Sequence, residues 1–326
     1  MTVTLKLENL HTYFHLEGQT LKAVRGIGFT LKRGETLGLV GESGCGKTVT
    51  ALSLMRLVPA PGRIEAGRVW LENRKGERRD LLVIPERQMR AVRGKEMAMI
   101  FQEPMTSLNP VFTIGDQIME AILVHEKTGR REALQRAIEL LRNVNIPSPE
   151  LRIKDYPHQL SGGQRQRVMI AMALSCRPEV LIADEPTTAL DVTVQARILQ
   201  LLSRLREKYK MAVLLVTHDL GVVAQDTDRV AVMYLGRIVE DAPTTTLFAR
   251  PLHPYTRALM ESIPRLGEEK KRLKTIRGAV PTLSRIPSGC SFHPRCPLAR
   301  EICREREPIP REITPGHRVE CHLFHE

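Results

Sequence analysis

The most restrictive stretch of the chain is Gly41-Glu42-Ser43-Gly44-Cys45-Gly46-Lys47-Thr48, because of what flanks it. Residues 36–40 before it read as a buried strand, and residues 49–57 after it run without a breaker and stop short of Pro59, as a helix does. A glycine-rich loop between a strand and a helix turns successive backbone N–H groups inward, which makes a cradle for phosphate at the positive end of the helix. Lys47 can reach the β and γ phosphates, and the Thr48 hydroxyl can ligate Mg²⁺. A simple glycine turn is the plainer reading, and the flanking strand and helix weigh against it. Gly41, Ser43, Gly44, Cys45, Gly46, Lys47 and Thr48 are therefore the candidate ligands of a nucleoside triphosphate.

Length and composition bound the rest. With 326 residues and 42% hydrophobic content, the chain can bury one large domain plus a small one. Lys+Arg of 49 against Asp+Glu of 37 gives 49 − 37 = +12, a charge that suits either nucleic acid or an anionic membrane surface. Apolar runs such as 168–174 and 211–216 fall well short of the roughly 18 residues needed to span a bilayer. No basic segment followed by an apolar one opens the chain, so a cytosolic location is expected. Cys45 and Cys176 stand apart, whereas Cys290, Cys296, Cys303 and Cys321 crowd into the C-terminal end, which marks a separate tail module.

Residues 1–34 alternate apolar and polar (Val3, Leu5, Leu7; Ile27, Phe29, Leu31), which predicts an antiparallel hairpin sheet carrying Tyr13 and Phe14. Residues 74–95 are rich in Arg, Lys and Glu and read as a solvated excursion before a strand at 97–101. From 114 to 144 apolar positions recur at helical spacing until Pro147, Pro149 and Pro157 break them, so about 103–176 reads as a helical insert. Strands at 180–183, 212–216 and 230–234 and a helix at 194–209 then restore the β–α alternation of a parallel sheet. Beyond Leu247 prolines multiply, which predicts a linker and a cysteine-rich end. The expected division is 1–246 for an α/β nucleotide-binding domain with an antiparallel subdomain and 247–326 for the tail.

Two further segments bear on the phosphate loop. Val180-Leu181-Ile182-Ala183-Asp184-Glu185 is an apolar strand ending in two acids, a pattern that puts Asp184 on Mg²⁺ and makes Glu185 the candidate general base. Paired acids are ordinarily surface charge, and it is the phosphate loop that reverses this reading. Leu160-Ser161-Gly162-Gly163-Gln164 precedes a helix-like 166–175 and offers a second glycine-rich helix start. One ATP needs only one such cradle. Two copies packed head to tail would each offer the second cradle to the other's ATP, so nucleotide would hold a dimer together.

In this order the motifs resemble the ATP-binding subunits of ABC transporters, over about residues 1–245. The resemblance implies a P-loop, RecA-like fold in which Leu160 to Gln164 is the signature motif, with Ser161 and Gly163 reaching the γ phosphate across the dimer. It further implies that Gln102 is the Q-loop glutamine sensing Mg²⁺ and the lytic water, with the loop behind it touching membrane subunits. Ala189-Leu190-Asp191 resembles the D-loop, His218 the switch histidine at the γ phosphate, and Phe14 the aromatic stacked on adenine, with Tyr13 its rival. A lone Gln, His or aromatic residue would otherwise be structural.

A narrower resemblance, to dipeptide and oligopeptide importers, lies in GESGCG at 41–46, FQEPMTSLNP at 101–110 and HPYTRAL at 253–259. It implies an enzyme that hydrolyses ATP to drive import at the cytoplasmic face of the membrane. Its implied partners are a sister ATPase or a second copy of itself, two permease subunits and, indirectly, an extracytoplasmic peptide-binding protein. Nickel and glutathione importers share these segments. The four C-terminal cysteines, spaced C-x5-C-x6-C-x17-C, suit a four-thiolate site. Spacing does not name the metal; similarity to this subgroup implies a [4Fe–4S] cluster, with Zn²⁺ on His293 or His317 in place of one cysteine as the alternative and a metal-free tail as the plain reading. Two other classes compete. A soluble ABC protein acting on nucleic acid would fit the charge, but neither a long coiled coil between 102 and 161 nor a second nucleotide core is present, so no nucleic acid partner is expected. A non-catalytic scaffold would be expected to alter Glu185 or His218, and neither is altered.

Overall fold

The computed structural model of the chain describes residues 2–102, 107–188, 190–262 and 276–324, and the chain divides into two compact units. The first comprises Met1–Leu5, Leu31–Glu35 and Trp70–Leu215; the second comprises Lys6–Thr30, Thr36–Val69 and Val216–Glu326.

In the first unit, strands Met97–Ile100 and Val180–Asp184 pair in parallel, Met97 opposite Val180 and Ile100 opposite Ala183. Strand Ala212–Thr217, which this unit holds up to Leu215, lies beside Val180–Asp184. Every residue of Val180–Asp184 is buried, which is why a strand covered on both faces appears in sequence as an unbroken apolar run. The helical insert contains Ile114–His125, Arg130–Asn143 and Gly162–Ala173. The single periodic run over 114–144 is thus two helices: the pattern continues across the break, but Gly129 caps a fresh start. Thr113 opens the first of them by accepting the Asp116 N–H at 3.1 Å, and Ile114, Ile118 and Ile122 turn inward. Buried Gln117 donates to the carbonyls of Asn109 and Phe112 at 3.0 and 3.1 Å, fastening the approach loop to the helix.

Residues 74–95 depart from the expected solvated excursion. Strands Gly62–Glu72 and Arg78–Asp80 pair antiparallel from Trp70 opposite Asp80, and helix Glu86–Val92 buries Met89 and Val92. Two apolar anchors one turn apart hold this helix, too few to stand out among so many charges. Part of the charge is also structural: the buried Glu179 accepts from Arg33 at 3.3 Å and Arg74 at 3.2 Å.

In the second unit, the predicted hairpin forms between Val3–Leu16 and Gln19–Ile27, from Leu10 opposite Ile27 to Leu16 opposite Gln19, and turns through Gly18 at φ +75°. Strand Thr36–Val40 pairs in parallel with Arg229–Tyr234 and delivers the chain into the phosphate loop and helix Lys47–Leu54. An unpredicted strand, Arg237–Pro243, returns antiparallel to Arg229–Tyr234. The C-terminal region continues this sheet: His317–Val319 pairs with Arg237–Pro243, and Arg311–Thr314 pairs with His317–Val319.

The stretch expected as a linker contains helices Thr244–Ala249 and Pro254–Glu261. It also brings apolar anchors that sparse periodicity concealed. Tyr255 and Phe292 are buried against Tyr234, with ring centroids 4.6 Å (Tyr234–Tyr255) and 5.3 Å (Tyr234–Phe292) apart. Among the described residues no helix is long and apolar enough to cross a membrane.

Candidate functional site

The phosphate loop and His218 belong to the second unit, and Gln102, Ser161, Gly163, Asp184, Glu185 and Asp191 to the first. In the loop, backbone packing dictates residue type. A Cβ on Gly41 would lie 2.2 Å from the Met233 carbonyl oxygen, and one on Gly46, whose φ is +106°, would lie 2.3 Å from that of Ala23. Only glycine fits either place. Cys45 is buried between them, its carbonyl accepting the Gly236 N–H at 2.9 Å, and burial pushes its thiol pKa up, so it acts as a neutral filler. Lys47 is 6% exposed and lays its ammonium on the carbonyls of Gly41 and Glu42 at 2.8 and 3.2 Å. Ser43, Gly44 and Thr48 are exposed, leaving the mouth of the loop open to solvent.

Phe14 and Tyr13 separate on geometry. The Tyr13 hydroxyl is 2.9 Å from His11 Nδ1, and the Lys22 ammonium lies 5.7 Å from its ring centre. Phe14 is half-buried, and its ring edge would be 2.7 Å from a Cβ at Gly62. Phe14 is thus the ring without polar commitments among these contacts. His218 is exposed just past strand Ala212–Thr217 and before Asp219, whose side chain caps helix Leu220–Asp226 through the Gly221 N–H at 2.8 Å.

In the first unit the two acids diverge as their strand ends. Asp184 is 2% exposed, whereas Glu185 takes a left-handed backbone, φ +45°, and is half-buried. A non-glycine residue held there costs on the order of 1–3 kcal/mol, a strain that concentrates at working sites. The Glu185 carboxylate receives two hydrogen bonds on one oxygen, from the Gln102 amide at 3.0 Å and the Thr188 hydroxyl at 2.9 Å. Gln102 and Glu185, both expected at the γ phosphate from their motifs, are joined here, and Thr188 adds a contact that no motif announces beyond a hydroxyl one turn past the acid.

Ser161 and Asp191 both serve locally as helix caps. Ser161 accepts the Gln164 N–H at 3.3 Å while Gln164 accepts the Ser161 N–H at 3.0 Å, closing a capping box on Gly162–Ala173. Asp191 accepts the Val194 N–H at 2.9 Å at the start of Val192–Tyr209. A Cβ on Gly163 would stand 2.9 Å from Val194 Cγ1. Ala189, and Glu103 to Thr106 behind Gln102, lie outside the described residues.

The four C-terminal cysteines share one neighbourhood. Burial raises the Cys290 and Cys321 thiols to about 11, and in each case the charges of other cysteines of the set add to the shift. The backbone of Phe292, Leu298 and Leu323 bonds to the sulfurs of Cys290, Cys296 and Cys321. Among the described residues, however, no three His, Cys, Asp or Glu side chains stand in an arrangement that could hold a metal ion, so the expected metal centre is not preformed. His317, weighed above as a substitute ligand, gives its Nε2 to Glu240 at 2.8 Å, and His293 Nδ1 lies 3.0 Å from the Cys290 carbonyl. The zinc alternative through His317 loses that nitrogen.

Comparison with known proteins places these features in a family. The ABC transporter family matches residues 24–188, and the oligopeptide/dipeptide transporter C-terminal region matches residues 239–303. The chain is 54% identical to the probable peptide ABC transporter ATP-binding protein y4tR of Sinorhizobium fredii, over 97% of this chain and 94% of that one. It is 50% identical to the oligopeptide transport ATP-binding protein AppD of Bacillus subtilis, over 100% and 98%, and 48% identical to the dipeptide transport ATP-binding protein DppD of Escherichia coli, over 98% and 96%. The ATP-binding cassette MJ0796, in a dimeric post-hydrolysis state bound to ADP and Pi, superposes with a TM-score of 0.65 at 26% identity, covering 74% of this chain and 98% of that one. The chain belongs to the ABC transporter family as an ATP-binding subunit, an ATPase that carries the C-terminal region of oligopeptide/dipeptide transporters.

Proposed function

We propose that this subunit hydrolyses ATP at the cytoplasmic face of the membrane to power import of dipeptides or oligopeptides. What carries the reading is the union of an ATPase site with every expected residue type in place and the oligopeptide/dipeptide C-terminal region, at 48–54% identity to relatives named for peptide transport along nearly the whole chain. The family implies permease subunits as partners; a sister ATPase in a heterodimer, or a second copy, would complete the site.

In this reading Lys47 leaves the loop carbonyls to meet the β and γ phosphates, and the loop N–H groups hold them. Thr48 and Asp184 offer hydroxyl and carboxylate oxygens, the donors Mg²⁺ prefers, and the ion would neutralise phosphate charge when bound. Glu185, ionised and steadied by Gln102 and Thr188, accepts a proton from the attacking water, while Gln102 orients that water and His218 senses the γ phosphate. Phe14 stacks on adenine. Ser161, Gly163 and Asp191 act on the partner's nucleotide, which requires the caps of Ser161 and Asp191 to share their oxygens with it.

The cysteine group is read as a thiolate site for a [4Fe–4S] cluster, or failing that Zn²⁺. Mutual charge influence among the thiols and the backbone bonds to their sulfurs support this reading; the lack of a preformed cage opposes it. Anaerobic protein assayed for iron, sulfide and zinc decides it: iron and sulfide near four per chain support the cluster, and no metal refutes both.

The function itself is tested by reconstituting the subunit with its sister and permease subunits in liposomes. ATP-dependent uptake of labelled di- or oligopeptide is expected. Uptake of nickel or glutathione alone would move the substrate within the subgroup, and turnover stimulated by DNA or RNA without permeases would replace the reading with a nucleic-acid-linked one.

A further inference from the structure

Glu42 is the acidic residue of the phosphate loop. It carries a negative charge inside a loop built to hold a polyphosphate, where repulsion would weaken binding. Three contacts from the C-terminal side of the chain and from the loop itself fix it. The Tyr255 hydroxyl accepts the Glu42 N–H at 3.0 Å, the Lys47 ammonium donates to its carbonyl at 3.2 Å, and Arg295 grips its carboxylate with both terminal nitrogens at 2.7 and 3.0 Å.

The grip is built to be rigid. The Arg295 side chain is 4% exposed, its Nε donates to the Arg277 carbonyl at 3.1 Å, and its guanidinium lies 5.9 Å from the centre of the Tyr234 ring. Tyr255 has no exposed surface and packs with Tyr234 and Phe292. Arg295 and Phe292 come from the cysteine-rich segment and lie within the stretch between Cys290 and Cys296.

We propose that the C-terminal region is a strut of the ATP site: Arg295 neutralises Glu42, and with Tyr255 fixes the backbone of residue 42, so that the phosphate loop is set for nucleotide by the cysteine-rich segment. Arg295 and Tyr255 are positioning residues that act through Glu42 and do not contact the phosphates. A bidentate pair of low exposure holds geometry as well as charge, which an exposed ion pair does not. Removing the arginine leaves Glu42 uncompensated beside the phosphates, whereas removing both charges restores neutrality.

The inference rests on the chain being an ATP-binding subunit, and the test separates the two claims. Mg-ATP and Mg-ADP binding by the full chain are measured by titration calorimetry, with Lys47→Ala as the control: if the wild-type chain binds no Mg-ATP, the ATPase reading itself fails. Given wild-type binding, Arg295→Met is expected to raise the Kd for Mg-ATP about tenfold or more, and Glu42→Gln with Arg295→Met to return it to within about threefold of wild type. The loss is expected to shrink as salt rises, and to be greater for ATP than for ADP, because the uncompensated charge acts on phosphate charge. Tyr255→Phe, which removes one buried hydroxyl and no ring, is expected to raise Kd severalfold and stays informative if Arg295→Met does not fold. Wild-type affinity in Tyr255→Phe and folded Arg295→Met, or a double variant as weak as Arg295→Met alone, would overturn the proposal.

Discussion

The phosphate loop and the cysteine-rich segment lie in the same compact unit and are held in opposite ways. The loop is fixed by its own backbone: carbonyls of Met233 and Ala23 stand where any Cβ at Gly41 or Gly46 would fall. The cysteine-rich segment is fixed by side chains brought from far along the chain, namely Phe292 on Tyr234 and Tyr255, Arg25 on Ser291 at 2.9 Å, and Arg237 on Glu320 at 2.8 Å. A backbone device needs a fixed order of residue types and so can be recognised in a sequence. A device made of distant side chains leaves no local pattern.

That contrast can be broken most forcefully in the tail. Phe292→Ala removes a ring that is 1% exposed and is expected to cost about 4 kcal/mol, the middle of the range for a buried aromatic. Urea unfolding measures it; a cost below about 1 kcal/mol would mean that the aromatic cluster is not what secures the segment. In the loop, Gly46→Ala adds only a methyl group, yet is expected to cost about 3 kcal/mol from the overlap with Ala23 and the φ of +106°. Unfolding together with a Mg-ATP titration checks it, and unchanged values for both would contradict backbone control.

A smaller effect is set by pH. His253 is fully buried, its Nδ1 accepts the Tyr255 N–H at 3.0 Å, and burial holds its pKa down at about 3. Because the folded pKa lies below the unfolded one of about 6.5, the unfolded chain takes up a proton first as pH falls. The contribution of this residue is therefore complete above about pH 6.5 and is lost progressively from there toward pH 3, at about 1.4 kcal/mol per pH unit in the middle of that range. His253→Asn, which can still cap helix Pro254–Glu261, is expected to show a shallower fall in stability between pH 6 and 4 when unfolding is compared at both values. Parallel curves for the two proteins would show that His253 titrates normally.

Much of the first unit and the hairpin of the second were legible in sequence for the reason the loop was. Val180–Asp184 is fully buried, and its apolar run followed by two acids identified both the strand and the acid pair. Elements with few apolar anchors were not legible: Glu86–Val92 buries two residues among many charges, and His317–Val319 is three residues long and is defined by its pairing to Arg237–Pro243. In the site, Gln102 and Glu185 could be assigned because their motifs are ordered along the chain. Thr188 could not, since a threonine one turn from an acid is common, and Tyr255 and Arg295 could not, since their partner Glu42 is more than 200 residues away. The cysteine spacing was legible as a group of thiols, but the arrangement of their sulfurs depends on how the segment packs.

We propose that Glu185, steadied by Gln102 and Thr188, is the base of this ATPase. The most direct measurement of that role is phosphate release by Glu185→Gln, with Mg-ATP binding followed on the same preparation and both compared with wild type in the presence of the partner subunits. Turnover is expected to fall by at least about a hundredfold with Mg-ATP still bound. Turnover near that of the wild-type protein would contradict the role.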